Sequence, residues 1–240
     1  MSDLLTAMRQ LVMANRILAR EGVVDAYGHV SIRHPDNPKH YLISCSRSPE
    51  LVTLSDIMEI TLDGEPIDAR GRTMYAERFI HGAMYEKRPE VNAVIHNHSH
   101  AVIPFGVSKV PLRPLIHVGA SIGERVPVWD IRDKFGDTNL LVVNMEQGRD
   151  LAASIGGGRA ALMRGHGCVV TGKAVKEAVL TAVYLQVNAR IQMDAIRLGG
   201  DDVVYLSPGE IQEQESIMFG DLSVNRAWEY LVMRAGAQGL

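Results

Sequence analysis

The chain has 240 residues, 46% of them hydrophobic and 22% charged, with a formal net charge of -3. That composition suits a globular protein with a core of ordinary size, and without a basic block it argues against nucleic acid as the main partner. No apolar stretch approaches a membrane span, and the opening Met-Ser-Asp-Leu-Leu lacks the charged-then-apolar pattern of a secretory signal. Two cysteines, Cys45 and Cys168, lie far apart without CxxC spacing. A cytoplasmic location is therefore expected, with both thiols packed as small apolar groups. The length fits one α/β domain. No repeat, low-complexity tract or linker divides it, so residues 1–240 read as a single domain.

Residues 3–20 place Leu4, Met8, Leu11, Val12 and Leu18 at three- and four-residue spacing, which predicts an amphipathic helix ended by Gly22. Val30 to Arg33 alternates apolar and polar residues, and Tyr41 to Ser44 follows a turn cluster, His34-Pro35-Asp36-Asn37-Pro38. The pair predicts a hairpin over 30–44. His29, just after Gly28, is either a plain loop residue or a group presented at a site. The run Ser44-Cys45-Ser46-Arg47-Ser48-Pro49 reads either as a cradle for an anion or as a simple loop. Met58 to Leu62, followed by Asp63-Gly64, predicts a strand and turn ahead of a hairpin return.

Tyr75 to Arg88 has helical period. Glu77 falls in the expected first turn, where the helix dipole favours a carboxylate, and His81 lies four residues on, on the same face. Val91 to Ile95 then reads as a buried strand that runs into His96-Asn97-His98-Ser99-His100. On a strand, His96 and His98 share one face. Two neutral imidazoles side by side suit a transition metal, although a hydrogen-bonded pair at a strand end would look the same.

Ala101 to Val107 reads as a short helix and loop, and Leu112 to His117 as an apolar run. Val126 to Arg132 reads as a loop carrying Trp129, Asp130 and Arg132, ahead of a second apolar run, Leu140 to Val143. Gln147 to Ile155 predicts a helix closed by three glycines, Gly156 to Gly158. That triplet lacks the Gly-Lys-Ser/Thr ending of a phosphate loop. Two strands, Ala160 to Met163 and Cys168 to Thr171, are interrupted by Arg164-Gly165-His166-Gly167. A histidine bracketed by glycines is suited to reach into a pocket. Lys173 to Leu198 predicts a long helix. Ser207 caps the next helix with Pro208 in its first turn, and Arg226 to Leu231, with Tyr230, is the last helical segment. His34, His40 and His100 read as surface or supporting residues.

The residues that converge are Glu77, His96, His98 and His166. Three imidazoles and an acid make a catalytic metal set that leaves positions open for substrate. The ordered pattern Ala76-Glu77, His81, Tyr85, Arg88-Pro89, Val94, His96-Asn97-His98 and Gly165-His166-Gly167 resembles the class II aldolase/adducin head family over roughly residues 5–200. The resemblance implies a three-layer α/β/α fold around a mostly antiparallel sheet. It also implies a divalent metal on His96, His98 and His166, usually zinc, with Glu77 as the acid beside it. Manganese, iron or cobalt would suit the same ligands. Members are commonly homotetramers with active sites at subunit interfaces.

Members acting on sugar phosphates carry Gly-Asn-Val-Ser, Thr-Pro-Ser-Gly and Ser-Ser-Glu motifs. Here the counterparts are Gly28-His29-Val30-Ser31, Ser44-Cys45-Ser46-Arg47 and Tyr75-Ala76-Glu77. An imidazole, a guanidinium and a phenol thus replace donors suited to phosphate. The variant motifs resemble a decarboxylase branch, which removes CO₂ from hydroxylated aromatic or pyridine carboxylates and related ring-cleavage products. That branch implies a small-molecule carboxylate substrate, decarboxylated through a metal-stabilised enolate. Catalytic roles fall to Glu77 and His29. Carboxylate binding falls to Arg47, Ser46 and Ser48, with Tyr75, His117, Asp130, Arg132 and Tyr230 completing the site, in part from a neighbouring subunit. The alternatives are a metal-dependent aldolase cleaving an unphosphorylated 2-keto acid aldol and a non-catalytic adducin-like interaction module.

Overall fold

In the computed structural model, which describes residues 3–240, the predicted first helix is α1 (Asp3–Arg20), with Leu11, Val12, Ile17 and Leu18 buried. The expected hairpin forms from β1 (His29–Arg33) and β2 (His40–Ser44), antiparallel with Ser31 opposite Ile43. β3 (Ile57–Thr61) pairs with β2. The return strand expected after Gly64 does not form. The chain makes a single bridge there, Ile60 to Pro66, because proline has no N–H to extend a ladder.

α2 (Arg78–Lys87) starts later than its sequence period suggests, which makes Glu77 the N-cap instead of a first-turn residue. The phenol of Tyr75 is tied back to Ser44 and to the backbone of Arg47, holding residues 75–77 out of the helix. β4 (Ala93–Asn97) follows and includes His96, and α3 (Ile103–Gly106) lies beyond it. The 112–117 run is irregular and leads into a 3₁₀ turn over His117–Ile122. Where a loop was expected, β5 (Val128–Trp129) pairs in parallel with a later strand, and α4 (Arg132–Phe135) follows it. Residues 140–143 have no regular structure. α5 (Met145–Ile155) is capped by Asn144, whose side chain accepts the Gln147 N–H at 3.0 Å. β6 (Ala160–Met163), β7 (Gly167–Gly172) and α6 (Val175–Gly199) match expectation. α7 (Pro208–Met218) opens on a reciprocal Ser207–Glu210 capping box, and α8 (Asp221–Arg234) closes the chain.

The seven strands form one sheet in the order β3-β2-β1-β4-β7-β6-β5, antiparallel throughout except at β5–β6. Strand alternation sorts its two faces. Val30, Ile32, Leu42, Ala93, Ile95, Cys168 and Val170 pack against α1, α6 and α8. Tyr41, Ile43, Val94, Ala161, Met163 and Val169 pack against α2 and α5. The result is the three-layer α/β/α arrangement. Each fully buried aliphatic contributes roughly 1.5–3 kcal/mol to it. Cys168 is buried and Cys45 half-buried, both as free thiols. Of the surface or supporting histidines, His34 is buried beside Glu59 and His40 bonds Glu59 at 2.5 Å. Among the described residues no helix is long and apolar enough to cross a membrane.

Candidate metal centre

His96 stands near the end of β4, on the face that looks toward α2, and is fully buried. His98 follows where the strand has run out. β7 begins alongside, and Gly167 passes so close that a Cβ there would lie 2.1 Å from the Asn97 carbonyl oxygen. A side chain at 167 would push the strands apart and carry His166 away from His98. The glycine bracket therefore sets the separation of the histidines.

The Nε2 atoms of His96 and His98 are 3.0 Å apart, as are those of His98 and His166. Glu77 Oε2 lies 3.4 Å from His96 Nε2 and 3.5 Å from His166 Nε2. All four donor atoms lie within 4.8 Å of one another. Ligands about 2.0–2.1 Å from a tetrahedral ion stand roughly 3.3 Å apart, so the spacing fits a first-row divalent cation.

The surroundings fit as well. Nδ1–H of His96 donates to the Cys168 carbonyl at 3.1 Å, and Nδ1–H of His166 to the Leu140 carbonyl at 3.0 Å. Each bond fixes the tautomer and turns the Nε2 lone pair inward. Glu77 Oε1 accepts the Val142 N–H at 3.0 Å, which leaves Oε2 facing the imidazoles. Residues 140–142 therefore hold both Glu77 and His166. To aim its carbonyl, Leu140 adopts φ +68, a left-handed conformation that costs a non-glycine residue about 1–2 kcal/mol.

The charge balance is one-sided. Burial works against ionising Glu77, but His96 and His166 outweigh it and hold the carboxyl well below its usual range. Burial, with His96 and His166 adding to it, lowers His98 to about 4. The cluster thus presents an anionic carboxylate at Glu77 and a neutral nitrogen donor at His98, both suited to a cation.

His29 is the first residue of β1, opposite His96 on β4. Gly28 makes that approach possible. It sits at φ +99, and a Cβ there would meet Val24 at 2.7 Å and the His96 carbonyl oxygen at 3.1 Å. His29, Ser46, Arg47, Ser48, Tyr75 and Glu77 line a cleft of about 420 Å³ that His98 also borders. Arg47 reaches it while paired with Asp56 at 3.1 Å. The Tyr75 ring lies 4.5 Å from that of His29, while its hydroxyl is used to hold the 44–47 loop.

The remaining candidates lie elsewhere in this chain. His117 and Tyr230 line a separate groove between α6, α7 and α8. Asp130 is engaged by Arg132 at 2.8 Å and Arg164 at 2.7 Å. A larger cavity of about 680 Å³ opens at the opposite end of β4 and β7, but its walls carry the satisfied pairs Arg88–Glu90 and Arg159–Glu215. Sequence reasoning named Ser31 and Tyr85 only as motif positions without a role, and missed the 140–142 segment. The alternation His29-Val30-Ser31 placed Ser31 on the His29 face, a signal that was available. Nothing local marked Val142, whose part is played by its backbone.

Over 97% of its length the chain is 31% identical to decarboxylase tropJ of Talaromyces stipitatus, covering 95% of that protein. It is 26% identical to the 3,4-dihydroxyphthalate decarboxylase of Arthrobacter keyseri, covering 96% of this chain and 94% of that one. An aldolase II superfamily protein from Pseudomonas syringae has the same fold, with a TM-score of 0.82 at 24% identity over 100% of this chain and 96% of that one. The family described as the Class II Aldolase and Adducin N-terminal domain matches residues 9–193. That span contains every strand of the sheet and all four residues of the cluster, and the chain belongs to this family.

Proposed function

We propose that the protein is a divalent-metal-dependent lyase that decarboxylates a non-phosphorylated, hydroxylated aromatic carboxylate. The observation that carries this reading is the junction of two sites: Glu77 and His98 of the Glu77-His96-His98-His166 cluster line a cleft that Arg47, Ser46 and Ser48 line as well. The likeness to decarboxylases along nearly the whole chain supports it. The cation, which His96, His98 and His166 would hold beside Glu77 and for which zinc is the best match, would supply Lewis-acid stabilisation of the negative charge left when CO₂ departs.

The chain's own groups do the rest. Arg47 and the flanking hydroxyls hold a carboxylate and orient the ring. Glu77, ionised and with Oε2 free of backbone partners, takes the proton of the hydroxyl beside the scissile carboxyl. It returns that proton to carbon after the C–C bond breaks, and one proton from water restores the product hydroxyl. His29 borders the reacting end and meets the substrate there. The buried floor of the site excludes water from the carbanionic carbon.

The test is a screen of dihydroxyphthalate-like acids and ring-cleavage semialdehyde acids, read by CO₂ release. CO₂ from at least one hydroxylated aromatic acid is expected. An aldehyde product without CO₂ would instead favour cleavage of a 2-keto acid aldol by the same metal set. Absence of both activities, together with no affinity for divalent ions, would point to an interaction module.

A further inference from the structure

Behind His29 runs a buried chain of side chains that the metal cluster does not use. His29 Nδ1 lies 2.6 Å from His81 Nε2, His81 Nδ1 lies 2.6 Å from Ser31 Oγ, and Ser31 Oγ lies 2.7 Å from the Tyr85 hydroxyl. His81 and Ser31 are fully buried, and Tyr85 and His29 nearly so. They come from two elements. His29 and Ser31 alternate on β1, and His81 and Tyr85 are one turn apart on α2.

Three hydrogen bonds in series admit three proton placements; where Ser31 Oγ accepts from both His81 and Tyr85, its own buried proton has no acceptor among the described residues, and the Tyr85 end decides between the other two. Among the described residues, Ser31 Oγ is the one side-chain partner of the Tyr85 hydroxyl. The Val94 amide at the same oxygen is itself a donor. If Ser31 donated to Tyr85, the phenol O–H would be buried with no acceptor, the costly kind of unsatisfied group. Tyr85 therefore donates to Ser31, Ser31 donates to His81 Nδ1, and His81 Nε2–H donates to His29 Nδ1. The only nitrogen left to carry the His29 proton is Nε2. Burial also favours neutral rings here, lowering His81 to about 3 and His29 well below its ordinary value.

We propose that Tyr85, Ser31 and His81 are positioning residues that hold His29 as the neutral tautomer with its proton on Nε2, making it a fixed hydrogen-bond donor to an anionic oxygen of the substrate at the metal end of the cleft. The substrate in this statement rests on the decarboxylase reading, whereas the tautomer is a property of the fold. His29 then polarises and does not protonate. Giving up the Nε2 proton would draw one proton along the chain and leave a phenolate at Tyr85, which burial opposes by pushing that phenol well above its usual range. Proton transfer to carbon is left to Glu77. A preorganised neutral donor aimed at developing charge is worth about 10²–10³ in rate.

The test is long-range ¹H–¹⁵N correlation on the full chain, labelled at histidine nitrogen and loaded with zinc. Protonated Nε2 and unprotonated Nδ1 are expected for both His29 and His81, and a protonated Nδ1 on His29 overturns the proposal. His81→Phe should mix the His29 tautomers and lower kcat by about 10-fold or more with KM and zinc content little changed. His81→Gln, whose amide can still donate to His29 Nδ1, should recover most of the rate. An unchanged kcat and tautomer in His81→Phe overturns the proposal. Should His81→Phe fail to fold, the wild-type spectrum and His81→Gln carry the decision. Failure to release CO₂ from any carboxylate would sink the functional reading alone, because the spectrum needs no substrate.

Discussion

On β4, Ala93 and Ile95 point into the aliphatic layer beneath α1 and α6, while Val94 and His96 point the other way, toward α2. β1 divides in the same manner. Val30 and Ile32 join the aliphatic layer, and His29 and Ser31 face His81 and Tyr85. The same strands therefore build a dry, interchangeable packing surface on one face and an ordered polar array on the other. Apolar packing tolerates substitution so long as volume is kept, whereas each buried imidazole or hydroxyl requires a specific partner. The aliphatic face fixes the strands, and the fixed strands hold the donor atoms of the other face at ligand spacing.

Changes on the two faces should accordingly fail in different ways. The largest effect is expected from His96→Ala, which removes a donor from the cluster. Bound metal should drop below stoichiometry and turnover by more than about 100-fold, read by metal analysis and CO₂ release, with the melting transition still cooperative. Full activity in that variant would break the comparison. Ile95→Ala, one residue away on the other face, should cost about 2–5 kcal/mol of stability in denaturant unfolding while metal stoichiometry stays at the wild-type value.

Arg47→Ala lies at the cleft wall and touches neither layer. KM for a carboxylate substrate should rise about 10-fold with kcat nearly unchanged, and an unchanged KM would remove Arg47 from substrate binding. The smallest effect is a pH dependence carried by the polar face. His81, lowered by burial to about 3 from its ordinary 6.5, binds fewer protons folded than unfolded between those values. Its contribution to stability is complete above about pH 6.5 and is lost as pH falls toward 3. In protein stripped of metal, His81→Gln should flatten the acid limb of the stability curve.

Most of the polar face was legible in the sequence because strand alternation and the Gly-His-Gly bracket are local signals. His96, His98 and His166 were found that way, and Glu77 as an acid placed in the expected first turn of a periodic helix, although it is in fact the N-cap. What was not legible is what depends on tertiary backbone. The start of α2 was misjudged because the Tyr75 phenol, tied to Ser44 and Arg47, overrides helical period. β5 was taken for loop because two residues, Val128 and Trp129, are too few to show alternation and are held by a parallel partner. The 140–142 segment had no signal, since Leu140 and Val142 act through a carbonyl and an amide. His117, Asp130, Arg132 and Tyr230 were attractive by residue type, yet in this chain they line another groove or satisfy one another.

The claim at the centre of this account is that His96, His98 and His166, with Glu77 beside them, hold the cation on which carboxylate loss depends. Its most direct test strips the protein with a chelator and measures CO₂ from a dihydroxyphthalate as zinc is titrated back. The account predicts CO₂ release that rises with zinc and levels off at one ion per chain, with no recovery in His96→Ala. CO₂ release by the stripped protein at the full rate, or none at any zinc loading across the hydroxylated acids tested, would contradict it.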